Sequence, residues 1–446
     1  MAGWTANYDT SLELTREALN RVLERVIQAM KARLSYFSKL GRIGSVSLDI
    51  TDLNILDMED TPPLGGVLTD LEATGTFVFR LFGFRLANTR LVFTIEEVEI
   101  NFATSNAGLP RSIVLLVTPA MRIIISFPQT RFIMKWLLNR VFGPLISLGV
   151  WLAFRIIKKV EIPVWEIVDI FAALGLRFAK DSPLLTSQKT VSPDSLLIGT
   201  SFNLTGGQPG IGSQLARFIP ANTNVGAAVH ERVVTAGVQT AFVKGWVPSR
   251  FHVGKWKIYI NSIGVSFEQD TIVAAGQLKA KRGKCWCRVK AKITFRAEVK
   301  PQITDSQTPN PKLTFQYKAD INTQISTSGM LVVLGVIMFA PVFLALTITF
   351  SHLINLTLNQ FLPFQTTWSQ QGLTLTIQAN SVNFQGFVPL SMNFPLNLSG
   401  TGSYDISKFQ QFTLPGKIQV PMDIGFTDES LAIQQDELRA AVEVKA

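Results

Sequence analysis

Reactive side chains are scarce in this chain. Its 446 residues include two cysteines and three histidines, too few for a disulfide-stapled scaffold and a thin supply for a metal centre. Cys285 and Cys287 stand two apart, a spacing that suits no unstrained disulfide and supplies at most half a metal site, so small buried apolar side chains are their expected role. His230, His252 and His352 are isolated, and neither H-E-x-x-H nor G-x-S-x-G occurs. The glycine-rich stretch 206–212 lacks the Gly-Lys-Ser/Thr ending of a phosphate loop and reads as a linker. No catalytic residue, metal ligand or cofactor is expected, and the role should be non-enzymatic. The N-terminus lacks the basic and apolar regions of a secretory signal, which predicts a cytoplasmic protein with peripheral membrane association.

Charge is missing from one long tract. From 321 to 404 there is no Asp, Glu, Lys or Arg, although a solvated surface would carry some, so this surface should meet a protein partner, a membrane or the rest of the chain. Within it, 330–350 is long and apolar enough for a membrane span. Pro341 lies at its centre, however, and the matching stretch of the first half carries Lys135, Arg140 and Arg155. A buried or cavity-lining helix is the better expectation.

What the chain has in excess is apolar and basic. Hydrophobic residues make up 47% and the formal net charge is +10. The surplus is concentrated: nine basic residues stand between 279 and 300 against Glu298 alone. From 284 to 300 the odd positions are apolar and the even ones mostly basic, the period of a strand with one apolar and one cationic face. Such a face suits an anionic partner. Single-stranded nucleic acid is disfavoured because Trp286 is the one aromatic on the basic side.

Read in order, Thr10 and Glu13 have the spacing of a capping box ahead of an amphipathic helix to about 37. Strands are predicted at 42–57, 67–81, 84–102 and 112–127, then an apolar helix at 130–159 interrupted by Pro144. After a strand at 196–204 and a junction near 206–212, the order recurs: a helix at 225–246, strands at 254–267, 271–281, 284–300 and 312–326, and an apolar helix from about 329. The apolar phase flips after Ile50, Ile95 and Ile260, the trace of β-bulges. A turn pattern, Phe-x-x-acid-Ser/Thr, recurs at 178–182, 267–271 and 426–430. The reading is a diverged duplication, with units at 1–205 and 225–446 joined by a linker at 206–224.

In this element order, in the phase flips, and in the stretches 225–300 and 424–431, the chain resembles the tubular lipid-binding superfamily, the group containing bactericidal permeability-increasing protein and cholesteryl ester transfer protein. It lacks the signal peptide and wide cysteine pair of the secreted members, and is more similar to intracellular or bacterial relatives, including those encoded beside clostridial toxins. The resemblance implies an α+β fold of two tandem tubular units, each a long helix wrapped by a strongly curved antiparallel sheet with a second, kinked apolar helix. It also implies bound lipid or fatty acid, with acyl chains facing Val22, Val26, Met30, Leu91, Phe93, Val289, Ile293, Phe295, Val333, Phe339 and Phe343. Lys281, Arg282, Lys284, Arg288, Lys290 and Lys292 would dock the carrier on an anionic membrane. The alternative is a structural or assembly subunit that uses the fold for protein contacts.

Overall fold

The computed structural model describes residues 3–30, 35–40, 44–61, 66–82, 84–104, 110–116, 123–126, 159–163, 184–188, 195–204, 210–211, 214–245, 249–253, 256–282, 289–306, 311–327, 367–375, 390–405, 411–414, 418–421, 423–427 and 429–445. Among these, three seven-stranded antiparallel sheets, a two-stranded ribbon and two helices, α1 (Arg16–Met30) and α2 (Glu231–Val243), account for the regular structure. The first sheet runs Ser35–Leu40, Gly44–Thr61, Gly66–Leu81, Phe84–Thr104, Pro110–Leu116, Lys159–Pro163, with Ile123–Ser126 added on Phe84–Thr104. The second runs Arg250–Val253, Trp256–Glu268, Thr271–Arg282, Val289–Thr304, Lys312–Thr327, Leu390–Asp405, Thr367–Leu375. No helix among the described residues is long and apolar enough to cross a membrane.

Between them lies a sheet that draws on both ends of the chain, in the order Asp423–Gly425, Glu437–Lys445, Val225–His230, Thr10–Thr15, Ser195–Thr200, Leu184–Gln188, with Leu431–Gln434 added on Glu437–Lys445. The expected tubular units are corrected by this arrangement. Thr10 does not cap a helix; it opens a strand of six buried residues, and α1 starts at Arg16 with the Thr15 hydroxyl accepting from the Ala18 N–H at 3.2 Å. The stretch 225–230 is likewise strand, and α2 is capped by His230, whose ring Nδ1 accepts from the Arg232 N–H. Residues expected to lengthen the helices pair with each other instead, so neither helix is long and neither is wrapped by a sheet. The apolar helices expected at 130–159 and from 329 lie outside the described residues.

Buried carboxylates pin this sheet to its surroundings. Glu13, fully buried, accepts from the Phe218 and Ile219 N–H groups at 2.7 and 3.1 Å and from the Ser195 hydroxyl at 3.0 Å, with Arg217 at 3.3 Å. Asp9 accepts from the Phe202 N–H and pairs with Arg232. Glu437 accepts from the Trp4 N–H at 2.5 Å and from the N–H and hydroxyl of Thr5. Phe218 and Ile219, in the stretch assigned to a linker, are thus part of a packed cluster with Ala228 and Ala441.

All three phase flips are bulges. Register shifts fall between Ile50 and Asp52, between the partners of Val98 and Ile95, and between Ile260 and Ser262. In both long sheets a glycine stands beside the bulge. A Cβ on Gly75 would lie 2.6 Å from the Asp49 carbonyl oxygen, and one on Gly276 would strike the Ser262 carbonyl. Gly75→Ala should therefore lower stability by about 1–3 kcal/mol, read by urea denaturation. An unchanged midpoint would mean that the bulge carbonyl yields freely.

Hydrogen bonds also fix direction. Thr10–Thr15 and Val225–His230 are antiparallel, with Thr10 opposite Val229 and Leu14 opposite Val225, so α1 and α2 leave the central sheet at opposite ends. The first turns of α1 bond to the middle of Gly44–Thr61, through Asn20 and Ile55 at 2.6 and 3.1 Å and Arg16 to the Leu56 carbonyl. The start of α2 bonds to the Glu268 end of Trp256–Glu268, through Glu231 to the Phe267 N–H and Thr235 to the Val265 carbonyl. The Gly44 and Trp256 ends of those strands are therefore the ends remote from the central sheet.

Candidate functional site

At its remote end the second sheet carries a block of lysines. Lys257 pairs with Lys281, which pairs with Lys290; one pleat further along, Tyr259 pairs with Lys279, which pairs with Lys292. Directly paired residues share a face, with Cβ atoms about 5 Å apart. Lys257, Lys279, Lys290 and Lys292 are exposed, and the Lys281 ammonium sits 5.2 Å from the Tyr259 ring centre. Arg282, on the other face, stacks 5.9 Å from the centre of the Trp256 ring. Among the described residues none of the five lysines has an acidic partner.

The same face behaves otherwise nearer the central sheet. There Arg296 stands opposite Asp320 and Glu298 opposite Lys318, and Arg296 reaches Glu268 at 2.7 Å and Glu298 at 3.2 Å. Opposite charges face each other at one end of the sheet and like charges at the other. Like charges directly opposite are destabilising, so a face that had only to stay solvated would gain from carrying the complementary pattern throughout.

Of the residues expected to dock on a membrane, Lys281, Lys290 and Lys292 belong to this block and Arg282 adjoins it, whereas Lys284 and Arg288 lie outside the described residues. Lys257 and Tyr259 were missed because they come from another strand; their only trace in the sequence is their outward phase beside Trp256 and Ile258. The expected acyl-chain residues stand, as expected, in two sets, one in each half of the chain. Val26, Leu91 and Phe93 are buried in the first half, Val22 is half-buried, and Ile293 and Phe295 are buried in the second sheet. The Phe295 ring lies over its cross-strand partner Gly276. Val289 is in strand and Met30 ends α1, while Val333, Phe339 and Phe343 lie outside the described residues. An open cleft of about 780 Å³ lies between the turns at 266–270 and 432–436 and is largely polar, with Glu231, Glu268, Asp270 and Asp436 on its walls. Those turns clasp each other through the Asp270 N–H to the Ile433 carbonyl at 3.1 Å and the Asp436 N–H to the Phe267 carbonyl at 3.4 Å. Among the described residues no group of three His, Cys, Asp or Glu is placed to hold a metal.

No protein-family model matches the chain, and no curated protein is similar to it at significance. Among solved structures it is similar to P47 from Clostridium botulinum A2, with 9% identity and a TM-score of 0.33 over 99% of this chain and 98% of that one. P47 of Clostridium botulinum E1 follows, with 10% identity and a TM-score of 0.30 over 72% of this chain and 77% of that one.

Proposed function

We propose that this is a non-enzymatic lipid-binding protein that docks on anionic bilayers through the lysine block of its second sheet. The observation that carries the proposal is the reversal of charge pairing along one sheet face: complementary at Arg296–Asp320 and Glu298–Lys318, uniformly cationic at Lys257–Lys281–Lys290 and Lys279–Lys292. A basic cluster near an anionic leaflet gains about 1 kcal/mol per Lys, more than the cost of about 0.2–1 kcal/mol for each like-charge pair. Carriage of an acyl chain in a tube is left out, because no long helix wrapped by a curved sheet occurs among the described residues.

The test is sedimentation with vesicles of phosphatidylcholine, with and without phosphatidylserine. Binding should require phosphatidylserine and weaken steeply as salt rises from about 0.1 to about 1 M, where the screening length falls from about 10 to about 3 Å. Equal binding to both vesicle types, or none to either, would remove the proposal and favour the assembly-subunit reading.

A further inference from the structure

The hairpin joining Gly66–Leu81 to Phe84–Thr104 closes the remote end of the first sheet. Leu81 pairs with Phe84, so the turn has two residues, of which Phe82 is the first. Phe82 has φ of 49°, in the left-handed region. Two-residue hairpin turns with positive φ favour Asn, Asp or Gly, and a bulky L residue is disfavoured there. Phe82 is nevertheless 70% exposed, so its ring contributes little to the core. An apolar side chain held outward in a strained conformation points to a use outside the fold.

Its surroundings state the use. Arg80 stands opposite Arg85, Ser45 opposite Arg80 and Lys39 opposite Ser45, a row that crosses four strands on one face. Arg80, Arg85 and Lys39 are exposed, and among the described residues none has an acidic partner. Phe37, two residues before Lys39 and on its face, is 62% exposed. The row adjoins the turn between the third and fourth strands of its sheet, and the lysine row Lys257–Lys281–Lys290 adjoins the connection between the third and fourth strands of the second sheet.

We infer that this hairpin tip is a bilayer-inserting site, with Phe82 entering the headgroup and acyl boundary while Arg80, Arg85 and Lys39 bind lipid phosphates. Guanidinium groups pair bidentately with phosphate, and an aromatic beside cations is the composition of an interfacial anchor. A protein partner is the weaker fit: one projecting ring between like charges offers little of the flat, apolar core that stable protein interfaces bury. The inference shares with the proposed function the bilayer as partner, but rests on residues of the other sheet.

The experiment places an environment-sensitive fluorophore on Phe82→Cys in a Cys285→Ser, Cys287→Ser background and adds phosphatidylserine vesicles. The probe should shift to the blue and brighten. Phe82→Gly, which suits the left-handed turn and so preserves the fold, should lower vesicle partition about tenfold, the lower bound for withdrawing a buried phenyl ring. A silent probe on protein that sediments with the vesicles, or unchanged partition of Phe82→Gly, would overturn the tip site and leave the lysine block standing. Absence of vesicle binding by the unmodified protein would overturn both.

Discussion

Glutamine at Lys257, Lys279, Lys281, Lys290 and Lys292 together is expected to lower partition onto phosphatidylserine vesicles by on the order of a thousand-fold. Each lysine near an anionic surface contributes about 1 kcal/mol, and each 1.4 kcal/mol is about a factor of ten. Thermal stability should hold or rise slightly, because three directly opposed lysine pairs disappear. A charge-matched comparison isolates position from net charge. Lys279, Lys281 and Lys292 changed to glutamine should cost far more binding than Arg296, Lys312 and Lys318 changed likewise. Arg296 and Lys312 already hold acidic partners, and Lys318 stands opposite Glu298. Equal losses from the two triple variants would show that only the overall charge matters and would sink the site.

Loss of the Glu13 carboxylate should be the most damaging single change to the fold. Glu13→Leu strands two buried backbone N–H groups, at Phe218 and Ile219, and the Ser195 hydroxyl, and leaves Arg217 beside an apolar side chain. Each orphaned donor costs about 1–3 kcal/mol, and breaking one side of a buried ion pair about 3–5 kcal/mol. A loss of about 3–5 kcal/mol is therefore expected by chemical denaturation. Burial pushes the Glu13 carboxyl above the usual carboxylate range, against the downward pull of the same donors and of Arg217. The folded state thus holds the proton more tightly than the unfolded one. The contribution is fully present below the ordinary Glu value of about 4.3 and declines as pH rises through the raised value. Glu13→Gln cannot titrate, so wild type should hold its greatest advantage over this variant at low pH and lose part of it as pH rises. An advantage that grows with pH would contradict the direction of the shift.

The long strands were legible from the sequence, and so were their bends. Val46, Leu48 and Ile50 giving way to Leu53 and Ile55 is a local pattern, and a local pattern places a bulge at Thr51 because side-chain alternation cannot flip without one. The central sheet was not legible. Thr10–Thr15 is buried on both faces, so alternation carries no information, and its Thr-x-x-Glu spacing imitates a capping box while Glu13 in fact reaches Phe218. Whether such a stretch is strand or helix depends on partners some two hundred residues away. The candidate site divided along the same line: one strand of the lysine block was plain from its period, but Lys257 became its neighbour only through cross-strand register, and Phe82 gained significance only from its exposure and backbone angle.

The place of Thr10–Thr15 in the middle of that sheet also sets the order in which the molecule can form. The strand's neighbours are Ser195–Thr200 and Val225–His230, and Glu437, which anchors Trp4, stands 433 positions from Trp4. During synthesis this strand must wait, unpaired, until Ser195–Thr200 and Val225–His230 have been made, and the Glu437 anchor follows later still. Pairings between such remote segments form slowly because the chain must close large loops first. The two outer sheets, whose strands are mostly successive hairpins, can assemble meanwhile, and the central seam is the last to close. Removing the strand Glu437–Lys445 should accordingly leave both outer sheets built, with Val225–His230 as an open sheet edge and Trp4 and Thr5 released to protease.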